Sequence, residues 1–211
     1  MSSAGGGEAA RWQRDGGAGS RSQMAESYHH GDLRRALLDE AVALAGEVGV
    51  DRLSVRELAA RVGVTHPAAY HHFASKTELL GELAREGFAL LDQRLAAVRA
   101  RSARRRFIEL GLAYVDFARD HPVHFRLMFR ASVVRPVWDA AMAVQVGAPF
   151  ARVDAAVRAA GGTRDLTDLA WASMHGLATL ALDGPLALRG DDVDALARRL
   201  TALLARLLPG G

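Results

Sequence analysis

The stretch Ser54 to Phe73, SVRELAARVGVTHPAAYHHF, constrains this chain more than any other, because its start, stop and turn signals describe two short helices three residues apart. In Ser54-Val55-Arg56-Glu57 a Ser N-cap can accept from the amide three residues on while Glu57 reaches back to the Ser54 amide, which makes a capping box. Val55, Leu58, Ala59 and Val62 then recur at helical spacing, and Gly63 stands where a left-handed residue would close the helix. Thr65 can cap a second helix whose first turn holds Pro67, a residue without an amide proton at a place where the helix needs none. Ala69 and Phe73, four apart, can pack on Ala59 and Val62, leaving Thr65, His66, Ala68, Tyr70, His71 and His72 outside. Another box, Ser75-Lys76-Thr77-Glu78, starts a third helix at once. Lys76 in its first turn opposes the helix dipole, a mild cost that makes sense if this helix end and Lys76 together receive a phosphate.

Charge supports the same reading only locally. No acidic residue lies between Glu57 and Glu78, whereas Arg61, Lys76 and three histidines do. Residues 28 to 76 as a whole carry six Arg or Lys against six Asp or Glu, and the full chain has a net charge of only +3, so bulk charge alone would not suggest a polyanion.

Leu53-Ser54-Val55-Arg56-Glu57-Leu58-Ala59, Gly63-Val64-Thr65 and Ala69-Tyr70-His71-His72-Phe73-Ala74-Ser75-Lys76 resemble the DNA-binding domain of tetracycline-repressor (TetR) family regulators, over about His30 to Leu91. The resemblance implies an all-α homodimer of about nine helices, with a three-helix DNA-binding domain and a helical C-terminal domain that binds a small molecule and dimerises. It further implies that Tyr70, His71 and Lys76 hold phosphates of an operator and that Thr65, His66 and Ala68 lie nearest base edges, with Ser54 and Arg56 in the same set. The implied place of action is the cytoplasm, on the nucleoid. Packing or capping remains an alternative role for His71 and His72.

The remaining chain is read in order. Residues 1 to 27 hold six Gly, three Arg and three acids without a hydrophobic period, and are expected to form a disordered tail; Met24 is an alternative start. A DNA-binding domain is expected over 28 to 91 and an effector-binding and dimerisation domain over 92 to 211. Leu33, Leu37, Ala41, Leu44, Ala45 and Val48 describe a first helix ending at Gly49. On its polar face Arg34 is either solvated or, as the resemblance suggests, reaches a flanking phosphate. A long connector is expected from Lys76 through Val98 to the cluster Arg99, Arg101, Arg104, Arg105 and Arg106, read as a charged helix junction.

Beyond it, Phe107, Leu110, Tyr114 and Phe117 share a helix closed by His121-Pro122, and Phe125, Met128 and Phe129 follow on a short one. Trp138, Ala141, Met142 and Gln145 lead to Gly147-Ala148-Pro149, an expected kink. Broken helices carrying aromatics and methionines can line a cavity, so Phe117, His121, Phe125, Met128, Trp138, Met142, Trp171, Met174 and His175 are the effector-pocket candidates. A plain core is the competing reading of each. Asp165 to Leu182 is apolar nearly all round and should be buried on several sides. Val193, Leu196, Leu200, Leu203 and Leu207 form a seam at steps of three and four. These two helices are expected to pair with their symmetry mates in a four-helix dimer interface. Trp171-x-x-x-His175-Gly176 also resembles a C-terminal subtype of the same family.

Several function classes are excluded or left weak. There is no cysteine, so disulfides, thiol catalysis and thiolate metal sites are ruled out. No uncharged run exceeds the 14 residues of Leu169 to Leu182, short of the ~20 that a membrane helix requires. No nucleophile elbow, zinc-protease motif, P-loop or dinucleotide fingerprint occurs, so neither catalysis nor a cofactor is expected. The alternative kept open is a metal-responsive DNA-binding sensor using His121 and His124 or His71 and His72.

Overall fold

In a computed structural model of the protein, residues 30–190 and 192–209 are described, and among them every regular element is helical. The expected tail and the choice between Met1 and Met24 lie outside the described residues. Helix α1 (His30–Val48) ends where Gly49 takes a φ of 85° and its N–H returns to the Ala45 carbonyl at 3.0 Å. Helices α2 (Val55–Val62) and α3 (His66–His72) then fold across it. Leu37, Leu44, Leu58, Ala59, Ala69 and Phe73 are buried as one core, which is what the spacing of these apolar residues requires.

Helix α4 (Lys76–Ala97) leaves this group and runs into the C-terminal half, with Leu79, Leu83, Leu91 and Leu95 fully buried. The connector stops there: Val98 is extended, and Ser102 caps α5 (Ala103–Asp120), placing Arg104, Arg105 and Arg106 in the first turn of a new helix. Helix α6 (Pro122–Met128) is opened by its proline and packs against both α4 and α1. A short α7 (Ala131–Val134), a 3-10 turn (Arg135–Val137), α8 (Ala140–Ala159), α9 (Arg164–Asp183), α10 (Pro185–Arg189) and α11 (Val193–Ala205) complete the chain.

One expectation needs correction here. The break foreseen at Gly147-Ala148-Pro149 does not occur; α8 continues through Pro149, which is buried. An interior proline removes one hydrogen bond and crowds the preceding turn, at a cost of about 3 kcal/mol. Packing of α8 on α4, α5 and α9, with Met142, Val153 and Val157 inside, is large enough to offset it. In the single chain α9 is covered on one side. Leu166, Ala170, Met174 and Leu177 face inward, while Leu169, Ala172, Thr179 and Leu180 are exposed.

Helix α11 shows the same division. Ala197, Thr201, Leu204 and Leu208 are buried against α5 and α9, whereas Leu203 and Leu207 of the expected seam are 54% and 60% exposed. Gly111 allows α11 to approach α5 so closely: a Cβ there would stand 2.6 Å from Thr201 Cγ2.

Candidate functional site

Helix α3 is seven residues long, too short to hold its shape in water alone, so its neighbours and caps must position it. Gly63, at φ 79°, ends α2, and its N–H and that of Val64 satisfy the Ala60 and Ala59 carbonyls. Thr65 Oγ1 accepts from the Ala68 amide at 3.4 Å, and Pro67 sits in the first turn. Ala69 and Phe73, each 1% exposed, fasten one side of the helix to the core. Thr65, His66, Tyr70 and His71 are consequently exposed, with Ala68 and His72 half-buried. The His66 and Tyr70 rings, one turn apart, meet edge to face at 4.6 Å between centroids.

The caps around α3 divide. Ser75 Oγ accepts from the Glu78 amide at 3.1 Å, and Glu78 Oε2 accepts from the Ala74 amide at 2.7 Å, so the second box forms with its return bond shifted by one residue. At Ser54 the side-chain bond expected of the first box is not made, although the residue is an extended N-cap. Glu57 instead lies 3.8 Å from Arg61, four residues on.

Arg61 does not contribute open positive charge. It bonds Glu47 and Glu40, with contacts of 2.9 and 3.1 Å from its Nη1, and so straps α2 to α1. Arg34 is similarly engaged: its guanidinium lies 5.0 Å from the Phe73 ring centroid and donates to Glu82 at 2.8 Å, bracing α1 against α3 and α4. Lys76 Nζ donates to the Asp51 carbonyl at 2.8 Å, one bond of the three its ammonium can make. Arg56 is exposed on the first turn of α2.

The effector candidates do not converge on one chamber. Trp171 and Met174 line a cavity of only ≈ 20 Å³ with Leu110, Gly111 and Tyr114, room for about one water. Phe125 and His175 instead line an open cleft of ≈ 390 Å³ with Arg126, Phe129, Arg130, Thr179 and Asp183. Tyr114 stands between them, its hydroxyl 2.9 Å from His175 Nδ1 and its ring 5.1 Å from that of Trp171. Phe117, Met128 and Met142 are plain core, and His121 lies against Phe117 at the end of α5. Trp138 is 52% exposed beside the 3-10 turn, away from both spaces. Helical spacing identifies a buried face but not what faces it, which is why the set scatters. Tyr114, read as an ordinary helix residue, and Arg126, Phe129 and Arg130, unassigned from sequence, carry no periodic signal that would single them out.

Burial lowers the His175 pKa below its ordinary value. The same cause dominates for His124, whose Nε2 lies 3.7 Å from Glu86 Oε2 without a hydrogen bond. His121 and His124 have ring centroids 5.9 Å apart, but no group of three His, Cys, Asp or Glu able to hold a metal occurs among the described residues. The metal-sensor alternative therefore finds no support. No helix of the described residues is long and apolar enough to cross a membrane.

Two family models match the chain. Residues 37–83 match one described as "Bacterial regulatory proteins, tetR family", and residues 107–204 match "Tetracyclin repressor-like, C-terminal domain". Over 95 residues the chain is 41% identical to the tetracycline repressor protein class A from transposon 1721 of Escherichia coli, covering 41% of this chain and 42% of that protein. It spans about half the length, or less, of the curated relatives it matches first. A solved structure of a protein with unknown function from Rhodococcus sp. RHA1 is 33% identical, with a TM-score of 0.72 over 88% of this chain and 100% of that one. The TetR family transcriptional regulator PfmR from Thermus thermophilus, 20% identical, shares the fold at a TM-score of 0.63 over 82% of this chain and 99% of that one.

Proposed function

Because this chain belongs to the tetR family of bacterial regulatory proteins, which are transcriptional regulators rather than enzymes, we propose that it is a repressor that binds a pseudopalindromic operator as a homodimer and leaves it when a small molecule binds. The observation that carries the reading is α3 itself. It is pinned by Ala69 and Phe73, it exposes Thr65, His66, Tyr70 and His71, and no acid lies between Glu57 and Glu78. A rod of this width enters a major groove, where Thr65, His66 and Ala68 meet base edges and Tyr70, His71 and Lys76 meet phosphates. Ser54 and Arg56, exposed at the start of α2, lie against the flanking backbone. Arg34 acts one step removed, because its contacts with Phe73 and Glu82 hold α3 in place.

Two such rods must stand roughly 34–36 Å apart to read successive turns on one side of a duplex. The exposed leucines of α9, α11 and the turn after it, Leu169, Leu180, Leu203 and Leu207, supply a face for pairing with a second copy. Leu169 to Leu180 is relieved by Ala172 and Gly176, and a Cβ on Gly176 would meet nothing within 4 Å in the single chain, so the space beside it is open to a partner helix. The subtype resemblance at Trp171, His175 and Gly176 fits a C-terminal half whose ligand space adjoins this face. In this reading the DNA-binding domain comprises residues 28 to 91 and the effector and dimer domain residues 92 to 211. The setting is the cytoplasm, where the operator is.

A gel shift with the DNA upstream of the protein's own gene, at low salt and with and without candidate effectors, tests the reading. Retardation by a dimer, reversed by a subset of small molecules, is the expected result. A chain that retards no duplex would sink it.

A further inference from the structure

The open cleft beside His175 has a composition that none of its neighbours shares. Its wall is aromatic: the His175 ring lies 4.4 Å from that of Phe129 and 5.4 Å from that of Phe125, centroid to centroid. Burial favours the neutral imidazole, and Tyr114 bonds its Nδ1, which leaves Nε2 for an incoming group. At ≈ 390 Å³ the cleft falls within the range of small-molecule sites. Two guanidiniums line it, and their bonding differs. Arg126 is locked to Asp183 by contacts of 2.6 to 2.9 Å from Nε and Nη2 to both carboxylate oxygens. Arg130 has a single 2.6 Å contact with Asp51, whose side chain is 81% exposed. An exposed single-contact pair is weak and readily exchanged, whereas a bidentate one is not.

We infer that this cleft binds an apolar or aromatic monocarboxylate, which takes Arg130 away from Asp51. The flat body lies on Phe125, Phe129 and His175, and the carboxylate accepts from the one exchangeable guanidinium. A dianionic phosphate would need a second free cation, and Arg126 is already neutralised by Asp183. The inference rests on the proposed function for its consequence. Asp51 lies in the turn between α1 and α2, and its carbonyl is the acceptor for Lys76 Nζ. Freed of Arg130, the Asp51 carboxylate stands unpaired beside the lysine assigned to phosphate, attracting it and repelling the duplex. The effect has a definite size limit, since a ligand shifts DNA affinity only by what it removes from the bound state. For an exposed ion pair that is a two- to about fivefold fall.

The test uses the full chain and two probes of one shape, 1-naphthoate and the neutral 1-naphthalenemethanol, titrated calorimetrically without DNA. The carboxylate is expected to bind at least about tenfold more tightly than the alcohol, and Arg130→Gln to erase that preference. Asp51→Asn keeps the carbonyl for Lys76 but loses the charge. It should bind naphthoate up to about fivefold more tightly than the native protein, because Arg130 no longer has a carboxylate to leave, while naphthoate no longer weakens its binding to a fluorescent duplex. Naphthoate that binds no better than the alcohol, fails to bind at millimolar concentration, or binds Arg130→Gln undiminished overturns the proposal. A native protein that binds naphthoate as described yet binds no duplex would leave the cleft assignment standing and remove the proposed function instead.

Discussion

Helix α3 and the paired helices α9 and α11 both present an uncovered face, yet the two faces ask for opposite partners. On α3 the outward residues are Thr, His and Tyr, groups that remain content in water and can trade it for base edges and phosphates. On α9 and α11 they include Leu169, Ala172, Thr179, Leu180, Ala202 and Leu203 among exposed Arg and Asp, with Leu203 and, just past α11, Leu207 more than half exposed. A contiguous apolar surface costs free energy until something apolar covers it. The lesson is that exposure by itself is neutral evidence. Its meaning comes from which side chains are exposed and from how firmly the opposite side of the same helix is held.

Phe73→Ala attacks the anchored side of α3 and should have the largest effect. Losing a ring that is 1% exposed costs about 3–5 kcal/mol, measurable as a lowered midpoint in chemical denaturation, and it also removes the surface under Arg34. A loss under about 1 kcal/mol would mean that α3 is held by something other than this ring. Next in size is the double change Leu203→Glu with Leu207→Glu. Charges in an apolar interface should halve the mass seen by light scattering and weaken operator binding by about a hundredfold. An unchanged mass would show that the partner face lies elsewhere. The smallest effect is expected of Lys76→Ala, which removes one phosphate contact. Binding to all sequences should weaken alike, and the slope of log affinity against log salt should shrink by about one. An unaltered slope would confine Lys76 to its bond with Asp51.

The same contrast explains what could be read without coordinates. Signals that act over four residues were legible: Gly63 and Gly49 as helix ends, Thr65 and Ser75 as caps, and Pro67 in a first turn; Pro122, read as closing a helix, also opens the next one. Ala69 and Phe73 as the inner face of α3 follow from the same short-range logic. Ser54 shows its limit, since a permitted cap need not be a bonded one. Pro149 shows another, because neighbours on three sides hold α8 together where the local preference is to break. The cleft was illegible for a different reason. Its lining comes from α6, the turn after it and α9, some 50 residues apart, and Arg130 matters only because Asp51 happens to lie opposite. Trp138 was drawn into the pocket set by its residue type and lies outside it by topology.

Gly81 and Gly87 on α4 have a mechanical implication. A methyl group at Gly81 would stand 2.4 Å from Val137, and one at Gly87 would stand 2.7 Å from the Met128 sulfur, so two notches key this helix onto the turn and helix beneath it. Sliding past those keys is blocked, which leaves tilting as the cheap motion. With 22 residues at about 1.5 Å each, α4 is a lever roughly 33 Å long. A swing of about 5° at one end would carry the other by about 3 Å, close to the ~3.4 Å step between neighbouring base pairs, so a small tilt of this lever would be comparable to one step along a duplex.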